Sequence, residues 1–313
     1  MKVVVTGAGG FIGGHLCRRL LGEDHELIVT TRRLSAPFPE GVRVVETGEI
    51  GPDTDWSFVP EGAVVFHLAA HVHRMKADAT DPGHFRRVNV AATRKLAIES
   101  ARKGARIVFL STVKVQGEGE ARRPYRESDE PAPHDDYAKS KLAAEEVLHD
   151  SGAQHVSLRP PLVYGPRVGA NFRRLLDAVA RERPLPIGSA NGERSMIFVW
   201  NLVDAMVRCA AGDLPSGRAY LVRDGQDLTA PELARRLASA LGVRSRLLSI
   251  PRFLVAGAAA TVGRRAAVGR LFDPLRVDDS LFRAEAGWQA PFTVDEGLAA
   301  TAAWYREMRA RTA

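Results

Sequence analysis

Cysteine is almost missing from this chain: Cys17 and Cys209 are all that its 313 residues contain. Two thiols so far apart exclude a disulfide framework and any thiolate-based zinc spacing, and they fit a reducing, cytoplasmic location. Long apolar runs are scarce too. The most lipid-like stretch, 253–263, is about half of the roughly 20 residues that a bilayer span needs, and Arg264 and Arg265 follow it. It reads as an ordinary helix rather than a span, with contact to a membrane surface as the other reading. The opening MKVVVTGAGG holds too short an apolar run for a secretory signal and continues into an amphipathic pattern, so it reads as a folded strand. Aromatic residues make up only 7% and do not cluster with basic ones, which argues against a nucleic-acid surface. A net charge of +7 suits an anionic partner without choosing one.

What is present is an ordinary foldable balance, 45% hydrophobic and 26% charged, which excludes a disordered chain. In the first half, strand patterns at 2–6, 26–31, 64–68 and 106–111 alternate with helical patterns at 11–21, 81–103 and 136–150. Such alternation predicts an α/β fold, a Rossmann-type doubly wound parallel sheet with crossover helices. After a strand at 156–159 the pattern becomes irregular and proline-rich, with short helices such as 231–241. The expected organisation is a dinucleotide-binding domain over 1–160 and a smaller C-terminal substrate lobe over 161–313, with some strands returning to the main sheet. Residues 116–136, rich in charge, Gly and Pro, read as a surface loop and a candidate substrate flap.

Three constellations carry chemistry. Thr6-Gly7-Ala8-Gly9-Gly10-Phe11-Ile12-Gly13 stands where the first strand passes into the first helix. Gly7 permits the tight bend, Gly10 lets backbone N–H groups approach a pyrophosphate, and Gly13 allows close helix–strand packing; Phe11 and Ile12 open the helix whose N-terminus faces the anion. About twenty residues on, where an acidic side chain would accept from the ribose 2′-OH of NAD, the chain reads Thr30-Thr31-Arg32-Arg33. Two guanidiniums there complement a 2′-phosphate, so NADP is favoured, with NAD as the alternative. Glu49 is placed near the adenine. Tyr137-Ala138-Lys139-Ser140-Lys141 puts a phenol and an ammonium on one helical face. The Lys141 charge together with a nicotinamide ring is expected to acidify Tyr137, and a lowering of three pKa units asks for about 4 kcal/mol. Ser111 and Thr112 end a strand at the sheet's carboxyl edge, where Thr112 could polarise a substrate oxygen; capping of the strand end is the plainer reading for either hydroxyl alone. His71 and His73 form a His-x-His with no third ligand nearby, so no metal is expected and His71 is assigned to substrate or cofactor contact. Trp288 reads as core.

Together these residues resemble the extended short-chain dehydrogenase/reductases (the epimerase/dehydratase family), and more closely the sugar-nucleotide branch that includes UDP-glucose 4-epimerases and sugar-nucleotide reductases. The resemblance spans nearly the whole chain: TGAGGFIG at 6–13, HLAA at 67–70, NVAAT at 89–93, FLSTVKVQG at 109–117, YAKSK at 137–141, RPPLVYGP at 159–166 and RSMIFVWNLVDA at 194–205. It implies catalysis by Tyr137, Lys141 and Thr112, cofactor contacts from Leu68, Ala69 and Ala70, and a nucleotide diphosphate held by Asn171 and Arg194, with Arg270 or Arg276 as helpers. Homodimerisation through the helices at 81–103 and 136–150 is implied as well. The chain departs from the epimerase R-x-x-N pattern at Arg159-Pro160-Pro161-Leu162. The expected activity is NADPH-dependent reduction of the C4 carbonyl of a nucleotide-linked sugar, with UDP-2-acetamido-2,6-dideoxy-4-hexulose giving UDP-N-acetylquinovosamine for surface polysaccharide. The alternative is a UDP-glucose or UDP-N-acetylglucosamine 4-epimerase with retained NAD. A non-enzymatic dinucleotide- or RNA-binding protein ranks last.

Overall fold

The computed structural model describes residues 1–23, 25–33, 38–71, 83–119, 123–261, 269 and 272–311. Strand β1 (Lys2–Thr6) buries Val3, Val4 and Val5 completely. A run of β-branched side chains covered on both faces is what the middle of a parallel sheet needs. The chain continues through α1 (Phe11–Leu20), β2 (Glu26–Thr31), β3 (Val42–Glu46) and β4 (Val64–His67). Then follow α2 (Ala92–Arg102), β5 (Arg106–Leu110), α3 (Asp136–Asp150) and β6 (Gln154–Arg159).

The second half gives β7 (Leu162–Tyr164), α4 (Ala170–Ala180), β8 (Glu193–Arg194), β9 (Met196–Phe198), α5 (Val199–Ala210) and β10 (Arg218–Leu221). It ends with β11 (Leu228–Thr229), α6 (Ala230–Leu241), α7 (Arg252–Thr261), α8 (Ser280–Ala286) and α9 (Val294–Ala310).

The main sheet has seven parallel strands in the order β10-β6-β5-β4-β1-β2-β3. Leu16 and Leu20 of α1 pack on one face with Leu202 and Met206 of α5. Leu96 of α2 and Ala144 and Leu148 of α3 cover the other face. The sheet is therefore doubly wound, and chain order reverses between β1 and β4, the place where such sheets open a ligand crevice at their carboxyl edge. A separate apolar cluster joins Phe172 and Leu176 of α4, Leu233 and Leu237 of α6, and Leu298 and Tyr305 of α9.

Two details differ from the sequence pattern. In the helix predicted over 81–103, α-helical residues 84–85 lead into a π-helical turn, Arg86–Ala91, before α2 begins at Ala92, and residues 81 and 82 lie outside the described residues. The strand at 42–46 gave no usable signal, because its burial pattern is mixed rather than alternating. Trp288 is buried as expected, its indole N–H donating to Asp204 Oδ2 at 2.8 Å.

Candidate active site

The turn from β1 to α1 is built by its glycines. Gly7 sits at φ 72°, and a Cβ there would meet Ala69 N at 2.9 Å. A Cβ on Gly13 would lie 2.2 Å from Gly7 O, so only glycine lets α1 come this close to β1. The N-cap is Gly10, which has no side chain to cap the helix, and no acid stands in the first turn. The first-turn N–H groups beside exposed Gly9 and Gly10 are left for an external acceptor. The cradle fits a diphosphate.

A buried chain of hydroxyls and one imidazole joins this turn to the next strand. Thr6 Oγ1 accepts from Leu68 N and Ala69 N, both at 3.1 Å, so its own hydrogen goes to His67 Nδ1 at 2.8 Å. His67 then donates from Nε2 to Thr93 Oγ1 at 3.0 Å, and Thr93 donates to Asn89 O at 2.7 Å. Burial, helped by the Lys141 charge, pushes His67 down to about 3, so the ring is a neutral spacer. Asn89, carried by the π-helical turn, accepts from His71 N at 2.7 Å and donates to Ser140 Oγ at 2.9 Å. Ser140 donates to Tyr137 O at 2.7 Å. The loop after β4 is thereby pinned to α3.

Asp135 is the N-cap of α3, accepting from Ala138 N at 2.7 Å through Oδ1. Its other oxygen takes Lys114 Nζ at 2.6 Å. Lys114 belongs to the short turn Val113–Val115 that Thr112 caps, its hydroxyl oxygen accepting from Lys114 N at 3.3 Å. One ion pair therefore draws the Thr112 turn to the start of the Tyr137 helix. The capping role of Thr112 is present, and it leaves the hydroxyl hydrogen to donate elsewhere. Ser111 Oγ is buried with no hydrogen-bond partner.

Tyr137 lies beside Phe85, ring centroids 6.5 Å apart, and Lys141 Nζ stands 3.9 Å from the Phe109 ring centroid. The protein's own groups push the phenol up rather than down. Burial, with Asp135 nearby, pushes Tyr137 up to about 12, while burial draws Lys141 down to about 7 against the pull of Glu145. Desolvation opposes both charges more strongly than either charge helps the other.

Behind Lys141, Arg159 donates to both oxygens of Glu145 and to Gln116 Oε1. Gln116 donates to Arg126 O at 2.7 Å and Asp129 O at 3.2 Å, anchoring the predicted flap to the core. Arg159, the start of the departing RPPL segment, is thus buried and structural, and Leu162 is exposed.

The remaining expected residues are spread along the edge. Arg32 and Arg33 are exposed at the end of β2, one strand from the glycine turn. Glu49 Oε1 lies 3.5 Å from His84 Nε2, which stands 3.0 Å from His71 Nδ1. His71 therefore meets His84 and Glu49, a grouping of metal-ligand type that spacing alone did not anticipate, and His73 lies outside the described residues. In the second half, Arg194 donates to Asp273 O at 2.7 Å, and Arg276 pairs with Glu193 at 3.1 Å while its buried Nε has no partner. Asn171 is exposed at the first turn of α4, and Arg270 lies outside the described residues.

Residues 3–222 match the NAD dependent epimerase/dehydratase family. UDP-glucose 4-epimerase of Vibrio cholerae is 34% identical over 310 residues, covering 96% of this chain and 94% of that protein. The N-acetyl-alpha-D-glucosaminyl-diphospho-ditrans,octacis-undecaprenol 4-epimerase of Escherichia coli O157:H7 is 25% identical over 325 residues, covering 95% and 93%. Among solved structures, MoeE5 in complex with UDP-glucose and NAD superposes with a TM-score of 0.77 at 25% identity, covering 99% of this chain and 100% of that one.

Proposed function

Because the chain belongs to the NAD-dependent epimerase/dehydratase family, we propose that it inverts C4 of a hexose carried on a diphosphate, with a UDP-hexose as the soluble substrate. The Tyr137–Lys141 pair carries this reading, and the likeness to the Vibrio cholerae enzyme favours inversion over net reduction. Names among the relatives differ in the carrier, UDP in one and diphospho-undecaprenol in the other, yet both place a diphosphate next to the sugar.

The chemistry that bound NAD supplies is reversible acceptance of hydride from C4. The N–H groups at Phe11, Ile12 and Gly13 would hold its diphosphate, Gly10 N–H being given to Gly7 O at 3.0 Å, with Leu68, Ala69, Ala70 and Glu49 along its length. Tyr137 takes the proton of the C4 hydroxyl as the C4–H bond breaks and the carbonyl forms, and returns it to that oxygen when hydride comes back to the opposite face. Nothing is consumed over the cycle. Thr112 donates a hydrogen bond to the C4 oxygen, where charge develops most in the transition state. Arg194 and Arg276, with Asn171, face the diphosphate of the substrate, as forked guanidiniums suit it.

In this reading Tyr137 and Lys141 share one proton across a single helical turn. Loss of one proton from the doubly protonated pair gives a state shared between neutral lysine with phenol and ammonium with phenolate. Only the second microstate is a base, and the pair reaches it with a single deprotonation governed by the lower value, about 7. Substrate and cofactor binding then have only to move a proton between the two side chains.

A second reading, NADPH-dependent reduction of a 4-keto sugar such as UDP-2-acetamido-2,6-dideoxy-4-hexulose, is favoured by Arg32 and Arg33 and by the missing carboxylate at the end of β2. The test is incubation with UDP-glucose or UDP-N-acetylglucosamine, with and without added NAD, followed by analysis of the released sugar. Galacto-configured product supports inversion. No product there, together with NADPH oxidation on the 4-keto sugar, gives the second reading instead.

A further inference from the structure

Residues 244–272 contain six arginines and no Asp or Glu. The same stretch presents Leu248, Phe253 and Leu254 at 46, 72 and 54% exposure, and Phe253 is the most exposed large apolar side chain among the described residues. Arg264, Arg265 and Arg270 lie outside the described residues, while Arg244, Arg246 and Arg252, all exposed, flank Leu248 and Phe253 in the chain; such a mixture suits an interface that is apolar inside and anionic at its rim.

The patch is firmly seated. Val255 and Ala256 pack against Ala190 and Phe272, so Phe253 and Leu254 are not exposed for want of an inner face to the helix. Arg252 pairs with Asp273 Oδ1 at 2.7 Å, and the backbone carbonyl of that same Asp273 receives Arg194 at 2.7 Å. One residue thus links the root of α7 to the guanidinium assigned above to the substrate diphosphate.

We propose that the start of α7, with Leu248 and the arginines around it, docks on an anionic phospholipid bilayer. No helix among the described residues is long and apolar enough to cross a membrane, so the contact is peripheral. Its geometry rests partly on the reading of Arg194: docking would set the diphosphate subsite next to the headgroups, within reach of a sugar diphosphate borne on a lipid.

The experiment is co-sedimentation of the full chain with vesicles of phosphatidylcholine alone and of equal parts phosphatidylcholine and phosphatidylglycerol, for wild type and the Phe253→Ser, Leu254→Ser double variant. Wild type is expected to sediment with the anionic vesicles, less so as salt rises, and the double variant to bind roughly tenfold or more weakly. The variant should turn over UDP-hexose like wild type, since both positions are exposed and outside the catalytic machinery. Wild type left in the supernatant, or a variant that sediments equally, overturns docking. So does a dimer that the substitutions convert to monomer without any vesicle binding, which assigns the patch to a second copy. Vesicle binding that depends on Phe253 and Leu254 in a protein inert towards UDP-hexose upholds docking and removes the proposed function instead.

Discussion

Burial pushes the Tyr137 phenol up and draws the Lys141 amine down, one helical turn apart on α3, and the proposed mechanism has them share one proton. Turnover of a UDP-hexose is expected to rise from acid to neutral pH with an inflection at or below about 7, because the single deprotonation that creates the base is set by Lys141. With Lys141→Met the phenol keeps its value of about 12, so activity at neutral pH should fall by about 10²–10⁴-fold and its rise should move into the alkaline range; a pH–rate profile of both proteins checks this. The same substitution should stabilise the fold. Lys141 has its folded pKa lowered from 10.5 to about 7, so the unfolded chain binds more protons between those values and stability rises with pH across that window. Below it the full cost of burying the charge is present. Removing the amine should therefore raise stability by on the order of 2–4 kcal/mol at neutral and acid pH, an effect that chemical denaturation would show to fade towards pH about 10. The sequence disclosed Tyr137 and Lys141 through spacing, but their shifts depend on burial beside Phe109 and Phe85, to which no local pattern points.

At the level of elements, the glycine turn separates two roles that look alike in the sequence. A methyl on Gly13 would collide with Gly7 O at 2.2 Å and Ala8 Cα at 2.9 Å, whereas one on Gly10 meets only Gly7 O at 3.1 Å. Gly13→Ala should then cost about 1–3 kcal/mol in thermal unfolding and loosen dinucleotide binding along with it. Gly10→Ala should leave stability nearly intact while weakening dinucleotide binding in a fluorescence titration, because it adds a methyl at the exposed N-cap of α1. β1, β2 and α3 were legible to the residue, since apolar runs and helical spacing are local signals. The π-helical turn was not. It carries Asn89, held between His71 and Ser140, and such a tie across 51 residues leaves no periodic trace. The Arg159–Glu145–Gln116 cluster was hidden for the same reason, although Glu145 stands four residues beyond Lys141.

Across the whole molecule, packing crosses the expected division near residue 160. α5 helps cover a face of the main sheet, and β10 completes its edge by pairing Arg218–Leu221 with Val156–Arg159. Expressed alone, residues 1–165 should therefore be insoluble or associated, which size-exclusion chromatography would reveal; a monomeric, cooperatively melting fragment would contradict this. The proline-rich signal after 160 is local, whereas pairing of strands some sixty residues apart is set by tertiary packing.

During synthesis the consequence is one of timing. As the polypeptide leaves the ribosome, β6 emerges with its backbone edge open, and its permanent neighbour is not yet translated. Until Leu221 is free of the exit tunnel, that edge can recruit a strand from any other nascent chain. The interval between these two segments is thus where slow codons or a holding chaperone would decide the yield of native enzyme.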